Sequence, residues 1–170
     1  MTTPVAQTGY APVNGLSMYY EIHGSGDQPL VLLHGAYGVI GMFGQLLTEL
    51  AKTRQVIVTE LQGHGRTADI DRPIRYEQMA DDVAALLQHL GIESADVFGY
   101  SMGAAVALQV AIRHPEHVRK LVVASGSYKS EGMYPEVLAG ISISRQKCLL
   151  VRRWKENISG SRLDRKIFRH

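Results

Sequence analysis

Residues 97–105 read VFGYSMGAA, and this stretch decides the fold. Ser101 stands between Gly99 and Gly103, with apolar residues before it and small residues after it. This pattern is typical of a sharp turn from a buried strand into a helix, where crowding demands small neighbours. The helix N-terminus then faces the serine with free N–H groups, which favour a developing oxyanion. The stretch therefore predicts that Ser101 is a nucleophile.

Strands and helices alternate on both sides of this turn. The turn signal Asn14-Gly15 predicts an N-terminal hairpin. Apolar runs and helical spacing predict strands at 16–22, 29–33, 55–60, 94–100 and 117–125, and helices at 42–52, 76–90 and 102–114. Such alternation favours an α/β fold with a mostly parallel sheet and helices on both faces.

Polar residues follow several of these predicted strands. His34, Glu60, Ser101 and Ser125 fall at strand ends, where ligands bind in parallel sheets. A nucleophile at such an end needs two N–H donors for the oxyanion. The amide of Met102 is one candidate donor. The amide of Ala36, in the HGAYG loop at 34–38, is the other.

Three segments together resemble the α/β-hydrolase superfamily, with the closest likeness to small esterase and haloperoxidase-like members. They are VLLHGAYG, ELQGHGRT and VFGYSMGAAVALQVAIRHPEHVRKLVVAS, within a resemblance that covers about residues 10–130. It implies an α/β-hydrolase core and a cofactor-free serine hydrolase acting on a small acyl ester through an acyl-enzyme. The residues that map to the family motifs are Ser101 as nucleophile, Ala36 and Met102 at the oxyanion hole, and His34, Gly35, Gly99 and Gly103 as supporting residues.

The resemblance also implies a catalytic Asp or Glu and then a His, both after Ser101 in chain order. His64 precedes Ser101, and His170 is the last residue. His114 and His117 follow a helix of about 12 residues, which places them roughly 18 Å from the serine. No general base is therefore identifiable, and Glu131 is the nearest later carboxylate.

Other acidic residues have simpler interpretations. Asp81 and Asp82 are interpreted as charge at a helix N-terminus, and Asp69 and Asp71 as loop charge. Two hypotheses therefore stay open. The chain is either a serine hydrolase impaired by loss of its acid and histidine, or a catalytically inactive truncated remnant that at most binds a small ligand.

The composition of the 170 residues predicts a cytoplasmic protein. Cys148 is the only cysteine, so an intrachain disulfide cannot form, and a reducing compartment fits best. The sequence lacks a signal-peptide pattern and any apolar run of about 18 residues, so no membrane contact is expected. We find no motif for phosphate, dinucleotide, metal or nucleic-acid binding. The expected partner is a small-molecule acyl substrate.

The charge changes sign near residue 144. Residues 1–144 hold nine basic and fourteen acidic residues, whereas residues 145–170 hold nine basic and two acidic ones. We therefore divide the chain into a hydrolase core at 1–130, the start of a cap region at 131–144, and a basic tail at 145–170. A step of this kind indicates an interaction tail or sequence of a different origin.

A frameshift is one hypothesis for this tail. One choice of codons for residues 146–163, read two nucleotides further on, gives KMFAGSPMEREYQRLAP, which resembles a cap-region segment of close family members. A basic arm that binds nucleic acid or an anionic membrane is an alternative, as is a solvated end without a partner. On the frameshift hypothesis the last strands and helix of the fold are lacking. The strand at 117–125 is then an apolar sheet edge prone to self-association.

Overall fold

A computed structural model describes residues 7–127 of the protein. Glu131, the cap segment at 131–144 and the tail at 145–170, with Cys148, lie outside this range. Two 3₁₀ segments occupy Ile40–Phe43 and Pro115–His117. The strands are β1 (Gln7–Val13), β2 (Leu16–His23), β3 (Leu30–Leu33), β4 (Val56–Thr59), β5 (Ala95–Tyr100) and β6 (Val118–Ala124), and the helices are α1 (Gly44–Ala51), α2 (Tyr76–His89) and α3 (Met102–Arg113).

The six strands form one sheet in the order β1-β2-β4-β3-β5-β6. β1 and β2 form a hairpin, and β2 also runs antiparallel to β4. The remaining pairs, β3 with β4, β3 with β5, and β5 with β6, are parallel. The predicted α/β class and mostly parallel sheet are confirmed. The hairpin turn is confirmed as well, because Asn14 and Gly15 both have positive φ, 47° and 85°.

The core has two layers, one on each face of the sheet. Along β3, Leu30 and Leu32 belong to the layer beneath α1, whereas Val31 and Leu33 belong to the layer beneath α2 and α3. All four side chains are buried. Because successive strand residues point to opposite faces, a strand covered on both sides must be apolar throughout. Helices on both faces are therefore confirmed.

The helices end where the sequence predicts. Gly91 follows α2 with φ 68°, and Pro115 stops α3. Between residues 7 and 127, no helix is long and apolar enough to cross a membrane.

Asp82 is the buried anchor of a polar network between the hairpin and α2. Its side chain is fully buried, pairs with the guanidinium of Arg72, and accepts a hydrogen bond from Asn14 Nδ2 at 3.0 Å. Arg72 Nε donates to Gln62 Oε1 at 2.7 Å, and Gln62 Nε2 donates to Asp69 Oδ1 at 2.8 Å. The interpretation of Asp82 as helix N-terminal charge is therefore wrong, because this carboxylate lies in the middle of α2 and faces the interior.

The substitution Asp82→Ala tests this network. We expect the free energy of unfolding to fall by about 3 kcal/mol, because the change leaves Arg72 without its partner in a largely buried site. Urea unfolding followed by circular dichroism measures the loss, and Asp82→Asn supplies a milder variant. Asp81→Ala is the matched control, since Asp81 pairs with Arg113 at the surface. Equal losses at positions 81 and 82 would contradict the anchoring role.

Candidate active site

Ser101 occupies the turn between β5 and α3 in a strained conformation. Its φ is 53° and its ψ is −112°, a region that residues other than glycine rarely adopt. The backbone holds it there. The Ser101 N–H donates to Ala124 O at 2.9 Å, and Ser101 O accepts from Ala104 N at 3.0 Å. The side chain is exposed, so the turn presents the hydroxyl at the carboxyl end of the sheet.

Two glycines allow the strand and the helix to approach this closely. A Cβ on Gly99 would overlap the Gly103 carbonyl and lie 2.7 Å from Ala104 Cα. A Cβ on Gly103 would overlap the Leu33 carbonyl and lie 2.6 Å from His34 O. All of these neighbours are backbone atoms that cannot rotate away. Gly99 and Gly103 thus supply the close packing that the pattern predicts.

The HGAYG loop lies directly beside Ser101. A Cβ on Gly35 would lie 3.4 Å from Ser101 Cβ. The Gly38 N–H donates to Gly35 O at 3.0 Å, which closes a tight turn around Ala36 and Tyr37. Tyr37 has φ 60°, and its side chain is 83% exposed. The loop therefore places a second strained residue next to the serine turn.

His34 is buried and bonded at both ring nitrogens. The Leu61 N–H donates to Nε2 at 3.0 Å, so Nε2 is an acceptor and the ring proton lies on Nδ1. Nδ1 in turn donates to Gly35 O at 2.8 Å. Burial lowers the pKa of His34. The neutral ring therefore ties the loop after β3 to the loop after β4.

Glu60 makes a second connection between these loops, which the sequence did not predict. Its side chain is 1% exposed and accepts from the Arg66 N–H at 2.5 Å and from the Ile40 N–H at 3.4 Å. Arg66 Nη2 also donates to it at 3.3 Å. The only signal in the sequence is an acidic residue at a strand end, shortly before an arginine.

Five of the six histidines between residues 7 and 127 are hydrogen-bonded to groups other than Ser101. His64 Nδ1 lies 2.9 Å from Gln62 O, and His117 Nδ1 lies 2.7 Å from Glu93 O. His23 is hydrogen-bonded to Glu21 and His114 to Asp81, both at 2.8 Å. Within the same range, no group of three or more His, Cys, Asp or Glu side chains could hold a metal ion.

A family model described as the alpha/beta hydrolase fold matches residues 28–140. The chain belongs to the α/β-hydrolase family. This confirms the resemblance, and the matched range includes the serine turn and the HGAYG loop.

Relatives of known name show what kinds of protein the chain is similar to. It is 33% identical over 129 residues to the pimeloyl-(acyl-carrier protein) methyl ester esterase of Yersinia enterocolitica, covering 72% of this chain and 48% of that protein. It is 30% identical over 115 residues to 3-oxoadipate enol-lactonase 2 of Acinetobacter baylyi, covering 67% and 43%.

The chain is also similar to a solved structure. Est816, described as an N-acyl homoserine lactone degrading enzyme, matches with a TM-score of 0.69 and 31% identity, over 80% of this chain and 52% of that one. The chain spans about half the length, or less, of the curated relatives that it matches.

The substitution Gly103→Ala tests the close packing at the turn. Because the added methyl group meets backbone atoms, we expect a loss of at least about 2 kcal/mol in the free energy of unfolding. Thermal and urea unfolding measure it. Gly41→Ala is the matched control, since its Cβ would lie 3.9 Å from Val39 Cγ2 in ordinary contact. Equal stability of the two variants would refute the packing constraint.

The pKa of His34 predicts a pH dependence of stability. Because this pKa is lowered from 6.5, the unfolded chain binds a proton that the folded chain excludes. The contribution of His34 to the free energy of unfolding is therefore fully present above pH 6.5. It falls as the pH drops below 6.5, by up to about 1.4 kcal/mol per unit, and levels off below the folded-state pKa.

Urea titrations between pH 5 and 8 measure how the free energy of unfolding depends on pH. His34→Gln should remove the part of this dependence that His34 causes. His114→Gln changes a more exposed histidine and is the control. It should retain the part of the pH dependence that His34 causes. An unchanged slope in His34→Gln would show that another group causes the acid sensitivity.

Proposed function

We propose that the chain carries the nucleophile half of a serine hydrolase that acts on small acyl esters. The strained φ of Ser101 at the end of β5 carries this proposal. The Ser101 hydroxyl oxygen attacks the acyl carbon, and its proton passes to the departing alcohol as the ester C–O bond breaks. Water then attacks the acyl-enzyme, releasing the carboxylic acid and returning the proton to Ser101 Oγ.

Two backbone amides suit the oxyanion that forms in each step. Met102 is the first residue of α3, so its N–H has no acceptor within the helix. Ala36 lies in the exposed turn beside Ser101. We assign the Met102 and Ala36 amides to the oxyanion hole, with His34 and Gly35 holding the loop in position. The fixed donors stabilise charge as it develops on the acyl oxygen.

The surroundings of the turn fit an acyl group with apolar carbon atoms. Tyr37, Met42 and Tyr100 are exposed near the HGAYG loop and Ser101, by 83%, 44% and 40%. Two of the relatives are named as an esterase and a lactonase, and these names support an acyl carbon–oxygen bond as the bond that is broken. This chemistry needs no cofactor, and the single cysteine suits a reducing, cytoplasmic setting.

A catalytically inactive remnant is the second candidate. It is favoured by the histidine contacts, since no histidine between residues 7 and 127 is hydrogen-bonded to Ser101. A serine turn without a base retains the oxyanion donors and can still bind a small acyl ligand. On this hypothesis the chain binds a small acyl ligand but hydrolyses it very slowly.

Labelling by a fluorophosphonate probe and hydrolysis of p-nitrophenyl acetate separate the two candidates. For a hydrolase, we expect the full chain to be labelled by the probe and to hydrolyse the ester. In Ser101→Ala, we expect no labelling and hydrolysis only at the rate of the buffer. Ser125→Ala is the matched control and should keep both, because Ser125 is an exposed serine with φ 52° at the end of the adjacent strand. If Ser101→Ala leaves the rate unchanged, the hydrolase proposal fails and the remnant is favoured.

A further inference from the structure

The segment from His34 to Ile40 contains the HGAYG loop and is held at both ends by the loop that follows β4. At its start, His34 Nε2 accepts a hydrogen bond from the Leu61 N–H at 3.0 Å. At its end, the Ile40 N–H donates to Glu60 Oε1 at 3.4 Å. The Ala36 amide lies between these two attachments in the chain. A group that fixes the Glu60 carboxylate therefore also helps to fix this amide.

The Glu60 carboxylate is enclosed by the backbone and side chain of the loop that follows it. The Arg66 N–H donates to Oε2 at 2.5 Å, and Arg66 Nη2 donates to Oε1 at 3.3 Å. A Cβ on Gly65 would overlap this carboxylate, so glycine is what lets the loop approach it so closely. Because the Glu60 side chain is buried, its charge needs a partner, and Arg66 supplies one.

Arg66 is itself held in place by side chains of β2. Its Nη1 donates to Glu21 Oε1 at 3.2 Å, and its guanidinium carbon lies 3.9 Å from the centre of the Tyr19 ring. The Tyr19 hydroxyl donates to the same Glu21 oxygen at 3.0 Å. The Tyr19 N–H donates to Thr67 Oγ1 at 2.9 Å, which fastens the residue after Arg66 to the strand. Arg66 thus connects β2 to the carboxylate that holds the end of the loop segment.

The charge on Glu60 also acts on the HGAYG loop. Burial lowers the pKa of His34, whereas the Glu60 carboxylate acts in the opposite direction, so its field reaches the first residue of this loop. A negative charge there opposes the negative charge that develops on the acyl oxygen during ester hydrolysis. The Arg66 guanidinium is paired with Glu60 and offsets this effect.

We propose that Arg66 is a positioning residue for the oxyanion hole and acts through Glu60 on the loop that carries the Ala36 amide. This inference rests on the proposed serine hydrolase function. Arg66 holds the Glu60 carboxylate against the Ile40 N–H and neutralises its charge, without any contact with the substrate. Its effect falls on the transition state rather than on substrate binding, because the oxyanion develops only as the reaction proceeds.

The substitution Arg66→Gln tests this role in the hydrolysis of p-nitrophenyl acetate by the full chain. We expect kcat to fall by about 10- to 100-fold while KM changes by less than about twofold. Arg66→Lys keeps the charge but not the planar fork, so its kcat should lie between those of the wild type and Arg66→Gln. Arg113→Gln is the matched control and should leave kcat unchanged, because Arg113 pairs with Asp81 at the surface.

Hydrogen exchange of single backbone amides gives a second measurement that does not depend on activity. In Arg66→Gln, the Ile40 amide should exchange at least about tenfold faster than in the wild type. The Leu61 amide, which is bonded to His34, should keep its rate. If Arg66→Gln does not fold, both measurements are made on Arg66→Lys, where smaller changes in the same direction are expected.

Three results would overturn the proposal. They are an unchanged exchange rate at Ile40, an equal acceleration at Ile40 and Leu61, which would indicate a general loss of stability, and a kcat equal to that of an active wild type. A wild-type chain that does not hydrolyse the ester would instead refute the proposed function. The exchange rates of the two amides would then decide alone whether Arg66 positions the loop.

Discussion

The fold around Ser101 depends on one close contact between backbones. The start of α3 lies against the end of β3 with no room for a side chain at Gly103. Because β3 pairs with β5, this contact fixes the strand that leads into the turn, the helix that leaves it, and the strand that leads into the HGAYG loop. The serine and the loop amides are thus positioned by the same atoms that pack the core. Close packing of this kind transmits small displacements directly to the site.

Buried polar side chains hold the loops at this end of the sheet. His34 joins the loop after β3 to Leu61, and Glu60 joins the loop after β4 to Ile40. Each polar atom involved has a partner, so burial of these side chains brings little free-energy penalty. Farther along the chain, Arg72 and Asp82 fasten the same long loop to α2. The site therefore has rigid support from two directions.

Local patterns in the sequence predicted the elements of this fold well. The apolar runs and the helical spacing located β2 to β6 and the three helices to within about two residues. β1 was predicted only as part of an N-terminal hairpin, without bounds. The glycines around Ser101 predicted the sharp turn between β5 and α3. Asp82 and Glu60 were not predicted as structural anchors, because their partners lie far away in the sequence or in an irregular loop. A carboxylate on a helix has the same local pattern whether it faces water or a buried arginine. No general base could be predicted, because the resemblance implies an acid and a histidine after Ser101 and no residue there matches the family's pattern.

The strand order has a consequence for how the chain folds as it is synthesised. β1 and β2 form a hairpin from adjacent segments, and β4 then fills the space between β2 and β3. From that point each new strand finds an edge that is already present, since β5 adds to β3 and β6 adds to β5. The sheet can therefore assemble from one side while the ribosome is still adding residues. Once β4 has joined β2 to β3, the strand that β5 or β6 pairs with has already been synthesised.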